Sequence, residues 1–198
     1  MFINYIIFSF LVPNYYLDIE TTGLDCKKDK IITIQYQRLD SRSGLPNGDL
    51  HILKEWESSE KEIIQKFSVD SGILSSNPFS FVSVGFNLKF EHNFLNARSK
   101  LHALNEIDIL SKPFLDLHSC AVIMNNGAFK DSGLDKITNK PHSGSPIPKL
   151  YENKEYDKII KYIEIETTEF LNFSSWLYKE LPTCLANFKS YYNKTANK

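Results

Sequence analysis

Three short stretches hold the residues of this chain that could do chemistry together. The first is Tyr15-Tyr16-Leu17-Asp18-Ile19-Glu20-Thr21-Thr22-Gly23. Side chains alternate along a strand, so Tyr16, Asp18 and Glu20 point one way and Leu17 and Ile19 the other. Two carboxylates side by side at the end of an apolar run are costly unless a positive charge lies between them. A divalent cation is the simplest such charge, because hard cations prefer carboxylate oxygens. Thr-Thr-Gly is turn chemistry and puts the acids at the mouth of the strand. Alone, the pair also fits a strand whose acids face solvent. The second stretch is Asn87-Leu88-Lys89-Phe90-Glu91, at a strand-to-helix junction. Asn87 and Glu91 are four apart and are expected to share a helical face, with Glu91 early in the helix where the dipole favours a carboxylate. The third is Tyr162-x-x-x-Glu166, again at helical spacing, where a phenol and an acid can act on one water.

The elements that must position these residues can be read from patterning. Residues Ile31 to Leu39 are rich in β-branched side chains and form a second strand, and Leu50 to Lys54 a third, across a turn-forming Ser41–Gly48 segment. Together with the Asp18 strand they predict an antiparallel meander. A helix is expected over Glu57–Phe67 with Ser58 or Ser59 as its cap, then a strand at Phe81–Phe86. A second helix is expected from Asn87 to about Asn105, burying Phe90, Phe94, Leu95, Leu101 and Leu104. Asp116 reads as a structural residue, a helix cap. The strongest helical pattern runs from Lys154 to about Leu181, and Pro182 is expected to end it. Strands first, then strands alternating with helices, predict one mixed α/β domain over residues 14–182. An aromatic and basic tail, 183–198, follows as a separate last helix.

Composition bounds the function. The chain has 198 residues, 42% of them hydrophobic, enough for a real core. The net charge of −1 does not advertise a nucleic-acid binder, but a local groove and bound metal ions would suffice. Cys26, Cys120 and Cys184 are far apart, odd in number and without a Cys-x-x-Cys, which points to a reducing cytoplasmic compartment and against a disulfide framework or zinc knuckle. The histidines have no recognisable ligand spacing. Residues 1–13 form an apolar extension too short to span a bilayer and without signal-peptide features. An extra strand, a greasy arm and a misplaced start codon are all compatible with it. No stable membrane insertion is expected.

Taken together, the three stretches resemble the motifs of the DEDD, or DnaQ-like, 3′–5′ exonucleases. Asp18-Ile19-Glu20-Thr21-Thr22-Gly23-Leu24 is similar to the first motif. Asn87-x-x-Phe90-Glu91 is similar to the second and Tyr162-x-x-x-Glu166 to the third, in its tyrosine form; the histidine form would need a His where Lys161 stands. Tyr151-x-x-x-Glu155 fits the third pattern too, but Tyr162 is preferred because it lies within the well-patterned helix. The resemblance implies a ribonuclease H-like fold with a mixed central sheet flanked by helices. It implies single-stranded DNA or RNA as substrate and two divalent cations, Mg²⁺ or Mn²⁺. In that family scheme Asp18 bridges both ions, Glu20 and Glu166 complete one site, Glu91 supports the other, and Tyr162 orients the attacking water. Thr21 and Thr22, with Leu24 as a wedge and Asn87 beside them, would hold the terminal nucleotide. Glu91 and Glu166 stand where the family usually has Asp, each adding roughly 1.5 Å of reach. The alternative is a nucleic-acid-binding domain of the same fold with weak or no catalysis.

Overall fold

A computed structural model describes residues 13–140 and 144–196, with side chains to residue 190. The apolar extension 1–12 therefore lies outside the described residues. Five strands form one mixed sheet: β1 (Asn14–Thr21), β2 (Ile31–Leu39), β3 (His51–Lys54), β4 (Val82–Gly85) and β5 (Phe114–Asp116). Their order is β3-β2-β1-β4-β5. β1, β2 and β3 are antiparallel, with Asp18 opposite Gln35 and Glu20 opposite Thr33, while β4 runs parallel to both β1 and β5. The meander forms because its connections are short. The parallel strands need crossovers, which the helices provide.

Helices α1 (Glu60–Asp70) and α2 (Lys89–Leu101) cover one face of the sheet. There Leu17, Ile19 and Ile34 pack against Ile63, Ile64, Phe67, Phe94 and Leu95. On the other face Tyr16 and Val84 meet α3 (Leu117–Met124) and α6 (Tyr156–Ala196) through Leu117, Ala121, Phe170, Phe173 and Leu177. The strand alternation expected for β1 is thus realised: Leu17 and Ile19 enter one core, Tyr16 the other. Two short helices, α4 (Leu134–Ile137) and α5 (Ile147–Glu152), lie between α3 and α6. Ile147 of α5 joins Ile32, Ile159, Tyr162 and Ile163 in a third cluster.

Several boundaries differ from the sequence expectation. Ser59 is the N-cap of α1, accepting the Glu62 N–H at 3.3 Å, and Glu55–Glu57 is a separate 3₁₀ turn. Asn87 is not helical. It adopts φ +68°, a left-handed conformation that Asn tolerates, and α2 starts two residues later. Asn87 and Glu91 therefore do not share a helical face. Leu101, the last residue of α2, is 63% exposed, while Arg98 and Ser99 of the same turn are buried. Phe114–Asp116, a bare apolar run in the sequence, is an edge strand.

The largest difference is at Pro182, where α6 does not stop. It runs 41 residues with the proline inside. Proline removes one intrahelical hydrogen bond and crowds the preceding turn. Past the proline the helix stays beside α3: Cys184, Asn187 and Phe188 border the same hollow as Ile123 and Met124, and the Phe188 ring lies close to Gly127. The segment expected as a separate tail helix is the continuation of α6. Among the described residues, no helix is long and apolar enough to cross a membrane.

Candidate active site

β1 ends where β4 hands over to α2, and the close approach there depends on Gly85. A Cβ at this position would lie 2.9 Å from the Leu17 carbonyl oxygen and 2.4 Å from Leu88. The turn after it is held by Asp116, which accepts the N–H groups of Asn87 (2.8 Å) and Leu88 (3.0 Å) and also caps α3 through His118 N–H. Glu91, in the first turn of α2, is thereby fixed beneath the end of β1. From the opposite face, α6 brings Tyr162 and Glu166.

The carboxylates of Asp18, Glu20 and Glu166 converge, with one oxygen from each lying within 4.8 Å of the others. Glu91 stands outside this trio, yet its charge acts on Glu20, and that of Asp18 acts on it. It is 3% exposed, and its Oε2 is buried with no hydrogen-bond partner. Asp18 is braced by Gln35 Nε2 (2.8 Å) and the Tyr16 hydroxyl (3.3 Å), which itself accepts from Thr167. These partners orient the acid without neutralising it.

The electrostatics of the cluster follow from burial. Loss of solvent, and then the Glu166 charge, push Asp18 up to about 7 against the opposing pull of Lys140 and Gln35. Burial, then Glu166 and Asp18, hold Glu20 well above the usual carboxylate range. Burial and then Asp18 do the same to Glu91. Burial, then the charges of Glu166 and Glu20, keep the Tyr162 phenol protonated, and it hydrogen-bonds with Glu166. Buried acids that repel one another and include an oxygen with no donor are what a hard-cation site looks like without its cation. The donor set, all oxygen, fits Mg²⁺ or Mn²⁺.

The positions expected to hold substrate are more dispersed. Leu24 is 88% exposed on the turn after β1. Thr21 donates its hydroxyl to the Gly23 carbonyl at 2.6 Å, and the Thr22 N–H is committed to the Lys30 carbonyl at 3.0 Å. Asn87 is exposed and, with Asp18 and Glu166, lines a cavity of about 350 Å³. Tyr151 and Glu155, which fit the third motif equally well in sequence, are elsewhere: Tyr151 joins Lys30 and Glu55, and Glu155 joins Lys158.

Three wall residues of the cavity gave no usable signal in the sequence. Lys140 donates to Glu166 Oε1 and lies 5.1 Å above the Tyr162 ring. His118 stacks on Phe86 (ring centroids 4.8 Å) and meets Phe129 at a tilt of 57° (4.7 Å), and Phe129 is 72% exposed. A lone lysine and scattered aromatics have no diagnostic spacing; only the fold assembles them.

Comparison with known proteins agrees with this architecture. No curated protein matches the chain significantly in sequence. Among solved structures, the zinc-bound form of the E. coli ExoI–ssDNA complex is similar at a TM-score of 0.56 and 12% identity, covering 88% of this chain and 42% of that one. The ExoI/SSB-Ct complex is similar at a TM-score of 0.54 and 12% identity, covering 88% and 43%. The chain thus spans less than half the length of these exonuclease I chains, and the likeness is one of fold. The family described as RNase_H superfamily matches residues 15–178, from the start of β1 deep into α6, and this chain belongs to that family.

Proposed function

We propose that this chain is a metal-dependent 3′–5′ exonuclease of the tyrosine DEDD form, hydrolysing phosphodiester bonds at the 3′ end of single-stranded DNA or RNA. The observation that carries the reading is the convergence of Asp18, Glu20 and Glu166 beside the orphaned oxygen of Glu91. Divalent metal held by these acids would stabilise charge on the phosphoryl oxygens and strengthen a water nucleophile. Tyr162, protonated and one helical turn before Glu166, orients the attacking water with Glu166. Gln35 and Tyr16 keep Asp18 aimed at the cluster. Leu24, Thr21, Thr22 and Asn87 contact the terminal nucleotide. The fold neighbours that hold single-stranded DNA support the substrate class. Three unpaired cysteines suit a cytoplasmic setting.

End-labelled single-stranded DNA and RNA, incubated with the protein and Mg²⁺ or Mn²⁺, should shorten stepwise from the 3′ end and stop shortening with chelator. Failure to degrade either polymer with either metal would sink the reading. Binding without cleavage would identify the non-catalytic alternative.

Phe129, 72% exposed and held by His118, puts an aromatic ring at the cavity edge, and base–aromatic stacking contributes roughly 1–3 kcal/mol per base. Phe129→Ala should therefore weaken binding of a short oligonucleotide by about 5- to 150-fold, with little change in melting temperature. Fluorescence anisotropy in an Asp18→Asn background measures this without cleavage. Unchanged affinity would remove Phe129 from the binding surface.

A further inference from the structure

We infer that the Lys140 ammonium is a built-in cation of the acidic cluster, taking the place of one of the two divalent ions that the family resemblance implies. The inference rests on the nuclease reading only in taking the cluster as a metal site. The side chain of Lys140 is 7% exposed and that of Glu166, which it contacts, 14%. Its positive charge also acts on Asp18 and Glu20, so the ammonium serves all three acids of the trio. A second contact, with the face of the Tyr162 ring, holds it there. A solvated surface lysine has neither feature.

The division of the acids points the same way. Lys140 compensates the Glu166 side of the cluster. The buried oxygen without a donor belongs to Glu91, on α2, and Asp18 is the acid of the trio whose charge weighs most on it. The acids that Lys140 does not contact, Asp18, Glu20 and Glu91, are therefore the ones left for a divalent ion, and a single ion would complete the set. An ammonium carries half the charge of Mg²⁺ and offers three donors but no open coordination position. Lys140 thus balances and positions Glu166, and leaves the chemistry at the phosphoryl oxygens to the single ion.

Mn²⁺ titration followed by electron paramagnetic resonance and by calorimetry tests this directly. The wild-type chain should bind one Mn²⁺. Lys140→Met and Lys140→Gln should bind two, because the vacated position regains its need for a cation, and Lys140→Arg should return to one. Melting temperature should fall in the neutral variants without metal and recover with Mn²⁺ to a larger extent than in wild type. A neutral variant too unstable to isolate should fold when Mn²⁺ is added. Two ions in wild type, one ion in both neutral variants, failure of Mn²⁺ to restore an unfolded neutral variant, or no Mn²⁺ binding at all would each overturn the assignment. The stoichiometry does not depend on cleavage. A chain that degrades no nucleic acid but gains an ion on losing Lys140 would refute the exonuclease reading and leave Lys140 standing. A chain that cleaves but binds two ions would do the reverse.

Discussion

Asp18→Asn should lower metal-dependent cleavage on the order of 10³-fold or more, without lowering stability. Losing a single preorganised donor to a transition state costs about 10²–10³-fold, and Asp18 does more than one donor would. It belongs to the converging trio and is the neighbour whose charge weighs most on Glu91. Asparagine keeps the shape and can still accept from Gln35 and Tyr16. Its neutrality also relieves repulsion with Glu166 and Glu20, the neighbours that help raise this group of acids. The metal-free melting temperature should therefore hold or rise. The stabilisation given by Mn²⁺, about 2.7 kcal/mol at a hundredfold excess over Kd, should largely vanish. Activity and melting measured together separate this outcome from simple misfolding, which would lower both. Retention of cleavage in Asp18→Asn would remove the cluster from the chemistry.

How far this site could be read from sequence depends on the kind of spacing involved. Asp18 and Glu20 are two apart on a strand, and Tyr162 and Glu166 four apart on a helix; such periodicities fix a shared face whatever the tertiary fold. The antiparallel meander was legible for the same reason. Asn87 was misread because a left-handed residue at a strand-to-helix junction leaves no periodic trace. Pro182 was misread because local chemistry favours a break there, while the helix runs on beside α3, with Phe188 close to Gly127. Lys140 and Phe129 were invisible for a third reason. Each reaches the cavity from a loop flanking α4, and only the fold gives them their neighbours: His118 for Phe129, Glu166 and Tyr162 for Lys140. The bracing of the start of β2 by Glu60 was hidden in the same way, since its partners are 29 to 42 residues distant in the chain.

Arg98→Met should cost about 3–5 kcal/mol, the range for breaking a buried ion pair from one side. Glu60, 6% exposed at the start of α1, accepts from Arg98 Nε (2.8 Å), Arg98 Nη2 (2.6 Å), the Ile31 N–H (2.8 Å) and the His102 ring (2.8 Å). One carboxylate thus ties α1, the end of α2 and the first residue of β2, and Ile31 pairs with Thr21 immediately after Glu20. For a chain of this size the loss corresponds to roughly 6–20 °C in melting temperature. Glu60→Gln combined with Arg98→Met should recover most of it, because the buried charge is gone while the amide oxygen still accepts from Ile31 and the amide N–H can donate to a neutral His102 ring. The pH dependence has a definite sign. Burial opposes the Glu60 charge, but the Arg98, His102 and Ile31 bonds outweigh it and hold the group below the ordinary glutamate value. Its stabilisation is fully present above that value, about 4.3, and is lost as pH falls through the lowered one. In Arg98→Met the carboxylate keeps its burial without its main partner, so protonation relieves the variant while it weakens wild type. Thermal melts should therefore show the two curves converging as the pH falls below about 4. A gap that stays constant down to pH 3 would mean that Arg98 acts through packing of its aliphatic stem, and that the Glu60 charge does not anchor the strand carrying Asp18 and Glu20.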